Sequence, residues 1–187
     1  YHGYQAARSY LFLPETERRK QVSLIEACGR DSASLCDKAV YIRPGTDGAL
    51  ALAMMHVLWR EHLEDEDFLR NQADGYEQFT GDPESSPEWA QNITGIPAEV
   101  IEELALVYGK AKAPAIVLGS GLSRYGNGGM TVRLITILSA LQEPGSGQAV
   151  ASADATTIWV ILLNKTDYKT GSQKRTGTDR KYQPAFI

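Results

Sequence analysis

Two short stretches of this sequence combine glycine with side chains that suit a nucleotide. The first is Arg43–Asp47, with the sequence RPGTD, and the second is the glycine-rich run Gly119–Gly129, which contains Arg124. Glycine lets a phosphate approach the backbone, and unpaired N–H groups at the start of a following helix attract an anion. The Asp47 carboxylate suits a guanine base or a ribose hydroxyl, whereas Arg124 suits a pyrophosphate. Both stretches are therefore candidate nucleotide-binding loops.

Each loop also has a simpler interpretation as a helix cap or a connection, because glycine-rich turns after strands are frequent for backbone reasons. Thr46 or Asp47, for example, is placed to cap the helix that follows. Neither loop matches the common nucleotide motifs: Arg124 stands where a dinucleotide fingerprint has its third glycine, and Asn127 stands where a P-loop has lysine. This argues against ordinary NAD and ATP sites. The presence of both loops in one α/β chain still favours nucleotide binding.

The histidines and cysteines of this sequence show no pattern that predicts a catalytic site or a metal site. The three histidines, His2, His56 and His62, have no second ligand at a metal-binding spacing. Cys28 and Cys36 are expected to be structural thiols, since no catalytic partner is evident and two cysteines exclude a disulfide-rich scaffold. The sequence therefore predicts neither a catalytic residue nor a metal ligand.

The elements around these loops alternate between strands and helices, which is typical of an α/β domain. Apolar runs predict strands over 22–25, 39–42, 115–118 and 156–163. Helices are predicted over 4–20, near 32–37, over 48–59, from Pro97 onward and over 130–141, and residues 61–91 are expected to form a surface excursion with short helices. We therefore expect a three-layer, mostly parallel sheet with helices on both faces, of the Rossmann-like, doubly wound type.

The net charge of the chain changes from acidic to basic near residue 164. Residues 164–187 carry six basic and two acidic side chains, so that residues 1–163 carry 13 basic and 21 acidic ones. An acidic body argues against nucleic-acid binding. We expect one α/β domain over 1–163 and a basic, polar, poorly ordered tail over 164–187. No apolar run is long enough to predict a membrane span.

Residues 35–54 resemble a characteristic segment of the molybdopterin oxidoreductases of the dimethyl sulfoxide reductase family. The matching sequence is LCDKAVYIRPGTDGALALAM. The resemblance covers roughly residues 20–145 and continues through Glu66–Phe68, Gly75–Glu77, Ile93–Glu99, Leu104–Ala105, Gly119–Arg124 and Asn127–Gly129. It implies an internal α/β domain that holds the nucleotide end of one cofactor molecule, in an enzyme that carries molybdenum or tungsten between two molybdopterin guanine dinucleotides.

The resemblance also implies which residues bind the cofactor. They belong to the Gly-Thr-Asp turn, to the turn after the preceding strand and to the glycine-rich loop: Gly45, Thr46 and Asp47; Glu26, Ala27, Cys28, Gly29 and Arg30; Ser120 and Arg124. The second of these turns departs from the family pattern, since Ala27 and Cys28 stand where the family usually has proline and arginine.

Several parts of such an enzyme have no counterpart in this sequence, among them the metal ligand, the N-terminal cysteines that bind an iron–sulfur cluster, and the C-terminal cofactor-binding domain. The resemblance therefore implies a fragment of an oxidoreductase that is not catalytic alone. Its expected partners are the remaining domains and electron-transfer subunits. A free-standing nucleotide-binding or subunit-contact α/β module without redox activity is the alternative. The compartment stays open between the cytoplasm and periplasm of a bacterium or archaeon.

Overall fold

The computed structural model describes residues 22–27, 36–73, 75, 84–111, 113–142, 148–151 and 158–163. The helix predicted over 4–20, most of the helix predicted near 32–37 and the tail over 164–187 lie outside the described residues.

A mixed five-stranded sheet contains every described strand. Its strands are β1 (Val22–Glu26), β2 (Lys38–Tyr41), β3 (Ala113–Leu118), β4 (Gln148–Ala151) and β5 (Ile158–Leu163), in the order β2-β1-β5-β3-β4. The pairs β1–β2 and β3–β4 are parallel, while β5 pairs antiparallel with both β1 and β3. β1 to β4 therefore share one direction, and β5 runs against them in the centre of the sheet.

Described helices lie between β2 and β3 and between β3 and β4, so the chain is of the α/β class. They are α1 (Asp47–Arg60), α2 (Glu66–Gln72), α3 (Pro87–Thr94), α4 (Ala98–Lys110) and α5 (Gly128–Ala140), with a 3₁₀ helix over Ser120–Arg124. The prediction of short helices within 61–91 is confirmed by α2 and α3. β4 was not predicted, because its four residues, QAVA, lack the apolar run that marks the other strands.

Capping explains where the short helices begin. The side chain of Asp65 accepts a hydrogen bond from the Phe68 amide at 2.8 Å at the start of α2. Ser86 accepts one from the Trp89 amide at 3.3 Å at the start of α3, where Pro87 occupies the first helical position. Both arrangements satisfy amides that the first helical turn leaves without an intrahelical partner.

α1 lies in the middle of the core. Its sequence is rich in alanine, leucine and methionine, which are strong helix formers, and it is buried on nearly every side. It packs against α3, α4 and α5, and its most buried side chains include Leu50, Met54, Met55, Val57 and Leu58. No described helix is both long and apolar enough to cross a bilayer. The first residue of α1 is Asp47, so this buried helix fixes the position of the first candidate loop.

Candidate functional site

The Gly-Thr-Asp turn lies between β2 and α1. Gly45 has a φ of +78°, in the left-handed region that favours glycine. The carbonyl of Arg43 accepts hydrogen bonds from the Thr46 amide at 3.2 Å and the Thr46 hydroxyl at 2.7 Å. Thr46 occupies the N-cap position, but its side chain forms no capping hydrogen bond. Of the two residues expected to cap α1, Thr46 or Asp47, Thr46 does not do so with its side chain, because its hydroxyl closes the preceding turn instead.

Asp47 is a buried carboxyl group in the first turn of α1, with only 7% of its surface exposed. Burial raises its pKa above the ordinary aspartate value, and a hydrogen bond from its own backbone amide partly opposes that rise. The helix N-terminus favours a negative charge at this position. A carboxyl group in this setting is well suited to accept hydrogen bonds from a ligand N–H.

The glycine-rich loop forms a 3₁₀ helix and then enters α5. Ser120 begins the 3₁₀ helix and Arg124 ends it, with its side chain exposed. A Cβ atom at Gly128 would lie 2.8 Å from the Ser123 Cα and closer still to the Leu122 carbonyl oxygen. Glycine at this position therefore allows the first turn of α5 to pack directly on the backbone of the 3₁₀ helix.

The two candidate loops meet in the structure. The Asn127 side-chain amide donates to the Gly45 carbonyl at 3.4 Å. The Tyr125 ring covers Gly45, since a Cβ built there would lie 3.2 Å from the ring Cδ1. One residue beyond Asp47, Gly48 similarly packs against Thr131 of α5. Two loops that the sequence predicts separately are therefore parts of one surface.

The turn after β1 is described only in part. Glu26 is buried at the end of β1, and its carbonyl accepts a hydrogen bond from the Ile42 amide at 3.0 Å, which ties this turn to the residue following β2. Ala27 is exposed. Cys28, Gly29 and Arg30 lie outside the described residues.

Cys36 is a half-buried free thiol next to this turn. Burial, together with the nearby charges of Asp37 and Glu26, raises its pKa to about 11. The thiol is therefore protonated at neutral pH, which makes it a poor nucleophile and metal ligand. This agrees with its expected role as a structural thiol. Within the described residues, no three His, Cys, Asp or Glu side chains gather as a metal site.

Three residues of this surface were not among the predicted site residues: Tyr125, Asn127 and Arg43. Tyr125 is 42% exposed, an unusual position for a large ring, and it stands beside Arg124 in the sequence. Asn127 departs from the P-loop pattern and lies in the family resemblance, but neither feature predicts its contact with the first loop. The Arg43 guanidinium turns toward the end of α3 and donates to the Asn92 carbonyl at 2.7 Å. Each role depends on a partner that is distant in sequence, which local patterns do not reveal.

Comparison with known proteins finds relatives of this chain, although no family model matches it. The chain is 36% identical over 116 residues to the dimethyl sulfoxide/trimethylamine N-oxide reductase of Rhodobacter capsulatus, covering 56% of this chain and 14% of the relative. It is 36% identical over 125 residues to dimethyl sulfoxide reductase DmsA of Haemophilus influenzae, covering 56% and 16%. It is also 32% identical over 136 residues to the alpha subunit of F420-dependent formate dehydrogenase 1 of Methanococcus maripaludis, covering 70% and 20%.

The chain is a homologue of the dimethyl sulfoxide reductase family of molybdoenzymes. It spans about a fifth or less of the length of these relatives. Among solved structures, acetylene hydratase from Pelobacter acetylenicus matches with a TM-score of 0.51 and 22% identity, covering 64% of this chain and 16% of that one. At this identity the match shows the fold alone.

Proposed function

We propose that this chain is the domain that binds the nucleotide end of a molybdopterin guanine dinucleotide in a molybdenum- or tungsten-dependent oxidoreductase. The domain extends over 1–163, is doubly wound with helices on both faces of its sheet, and does not turn over substrate alone. The observation that carries the proposal is the contact between the Gly-Thr-Asp turn and the glycine-rich loop, through Gly45, Tyr125 and Asn127. Homology to the family supports the identity of the cofactor.

The residues present fit a guanine nucleotide. Guanine offers adjacent N–H donors, and Asp47 offers a buried carboxyl group whose raised pKa reflects desolvation rather than a charged partner among the described residues. The exposed Arg124 supplies a guanidinium for the pyrophosphate. Gly45, Thr46 and Ser120 would contribute backbone groups to the nucleotide, and Glu26, Ala27, Cys28, Gly29 and Arg30 are the further cofactor-binding residues that the family resemblance implies.

When bound, the cofactor supplies the redox-active metal and its electron chemistry. The work of this chain is to bind and orient the nucleotide end, with Asp47 accepting hydrogen bonds and Arg124 pairing with phosphate oxygens. The other domains of the enzyme hold the metal end, any iron–sulfur cluster and contacts with electron-transfer subunits.

Replacement of Asp47 tests this function in the enzyme that contains the chain. We expect Asp47→Ala to lower the guanosine monophosphate released by acid, together with molybdenum or tungsten content, by about tenfold, since a lost charge-assisted hydrogen bond corresponds to about one order of magnitude in binding. Asp47→Asn, which keeps the side-chain shape, should lower both as well.

Asp67→Ala is the matched control, because Asp67 is an exposed carboxylate in the first turn of α2. Nucleotide and metal contents equal to wild type in both Asp47 variants would contradict the proposed role of Asp47. Absence of guanosine monophosphate from the wild-type enzyme would contradict the proposed function itself.

A further inference from the structure

Arg43 forms hydrogen bonds with the C-terminal end of α3. The Arg43 amide donates to the Thr94 carbonyl at 2.9 Å. Its guanidinium Nη1 donates to the carbonyls of Asn92 at 2.7 Å and Ile93 at 3.3 Å. The last carbonyls of a helix have no intrahelical donor and carry partial negative charge, so a guanidinium stabilises them. Three successive carbonyls of α3 are thus bound by one residue.

The local structure at this helix end is built around that contact. Gly95 follows α3 with a φ of +78°, and its amide donates to the Gln91 carbonyl. A Cβ at Gly95 would lie 3.2 Å from the Arg43 Nε. Glycine at this position therefore both adopts the left-handed conformation and leaves room for the arginine side chain. The buried Thr94 hydroxyl donates to the Ala90 carbonyl at 2.8 Å and accepts from the Ile96 amide at 3.1 Å, which fixes the exit of the chain.

Arg43 also begins the Gly-Thr-Asp turn. Its carbonyl accepts from both the amide and the hydroxyl of Thr46, as described above, and the Thr46 carbonyl in turn accepts from the Ala49 amide at 3.0 Å in the first turn of α1. A continuous path of hydrogen bonds therefore runs from the end of α3 through Arg43 to the backbone that carries Asp47. The guanidinium forms the α3 end of this path, through the carbonyls of Asn92 and Ile93.

We propose that Arg43 is a positioning residue that holds the Gly-Thr-Asp turn in its nucleotide-binding geometry by binding the C-terminal carbonyls of α3. α3 thereby becomes part of the support of the site, although it carries none of the expected cofactor ligands. The inference rests on the proposed function for its effect on cofactor binding. The structural part of the inference, that Arg43 fixes the turn, is independent of it.

Amide hydrogen exchange on the 187-residue chain tests the structural part. In Arg43→Met, which keeps an apolar stem and loses the donors, we expect exchange at the Thr46 and Gly95 amides to accelerate about tenfold or more, as local opening predicts for the loss of a charge-assisted hydrogen bond. Exchange at Ile101 and Ala105, in the core of α4, should stay at the wild-type rate. Arg43→Lys can still donate to one carbonyl and should give an intermediate acceleration at Thr46.

The second measurement is the guanosine monophosphate content of the enzyme that contains the chain, which should fall in Arg43→Met and recover partly in Arg43→Lys. Arg70→Met is the matched control, because Arg70 is an exposed arginine that pairs with Glu66 on α2. Unchanged protection of Thr46 in Arg43→Met would overturn the inference, as would equal acceleration throughout α4 without recovery in Arg43→Lys. A wild-type enzyme without guanosine monophosphate would contradict the proposed function only, and the exchange result would still decide the role of Arg43.

Discussion

At the scale of single residues, two effects act on the pKa of Asp47 in opposite directions. Burial disfavours its charged form, whereas its own amide and the N-terminus of α1 favour that form. The net effect is a raised pKa, so that the folded protein binds the Asp47 proton more tightly than the unfolded chain does. A ligand that donates hydrogen bonds to the carboxylate would offset the cost of its burial.

This shift predicts a specific pH dependence of stability. The stabilising contribution of a carboxyl with a raised pKa is complete below the ordinary aspartate pKa and is lost as the pH rises through the raised value. We therefore expect the free energy of unfolding of the wild type, relative to Asp47→Asn, to decrease with rising pH and then become constant. Urea denaturation from about pH 3 to 7 spans the range in which a carboxyl titrates.

Asp67→Asn controls for the loss of one surface charge on α2. A wild-type profile that runs parallel to that of Asp47→Asn, or rises relative to it with pH, would show that burial does not dominate the environment of Asp47.

At the scale of elements, the junction between the 3₁₀ helix and α5 depends on close backbone contact. Two adjacent glycines begin α5 and differ in their surroundings. A side chain at Gly128 would meet the backbone of Leu122 and Ser123, whereas a Cβ at Gly129 would have nothing within 4 Å.

We therefore expect opposite effects from the same substitution at these two positions. Gly128→Ala should lower the free energy of unfolding by about 1–3 kcal/mol, because backbone must move to admit the methyl group. Gly129→Ala should raise it by about 0.5–1 kcal/mol, since alanine loses less conformational entropy in a helix. Both values can be measured by urea denaturation, and a loss of similar size in both variants would contradict this account of the junction.

Elements with a strong local pattern could be predicted from the sequence. α1 follows from its run of helix formers, α4 from Pro97 and the apolar face behind it, and β3 from its apolar run between Pro114 and the glycine-rich loop. β4 could not be predicted, because a four-residue segment with a single β-branched side chain, Val150, becomes a strand only through pairing with β3. The central, reversed position of β5 likewise depends on partners far away in the chain.

In the candidate site, too, local sequence predicts the separate loops but not the contacts between distant residues. Glycine, threonine and aspartate before a helix predict the first loop, and a glycine-rich run after a strand predicts the second. Nothing within either loop specifies that Asn127 binds the Gly45 carbonyl or that Arg43 binds the end of α3. Such contacts are decided by the packing of α1 against α3 and α5.

At the scale of the whole molecule, the part of the chain that aligns with its relatives spans about a fifth or less of their length. A domain that holds one end of a large cofactor receives only part of the binding free energy, since the rest comes from its neighbours. We therefore expect the 187-residue chain to bind guanosine monophosphate or diphosphate weakly, with a dissociation constant of about 0.1 mM or more. Isothermal titration calorimetry measures this directly.

The result separates the proposed domain from its alternatives. Tight binding by the isolated chain would favour a free-standing nucleotide-binding module. No binding by the chain, together with no nucleotide in the complete enzyme, would favour a subunit-contact module. Adenosine monophosphate is the control ligand, because its base does not present the adjacent N–H donors that suit the Asp47 carboxylate.

The contact between the two loops also limits how this domain can be recombined with its relatives. Gly45 and Asn127 are 82 positions apart, yet each loop provides the packing partner of the other through Tyr125 and the Asn127 amide. A chimaera that exchanges only one of the two segments would join a turn to a foreign ring and a foreign donor. Exchanging Arg43–Gly48 together with Gly119–Thr131 would transfer both halves of the contact. The two segments must therefore be exchanged as a pair for this surface to be kept.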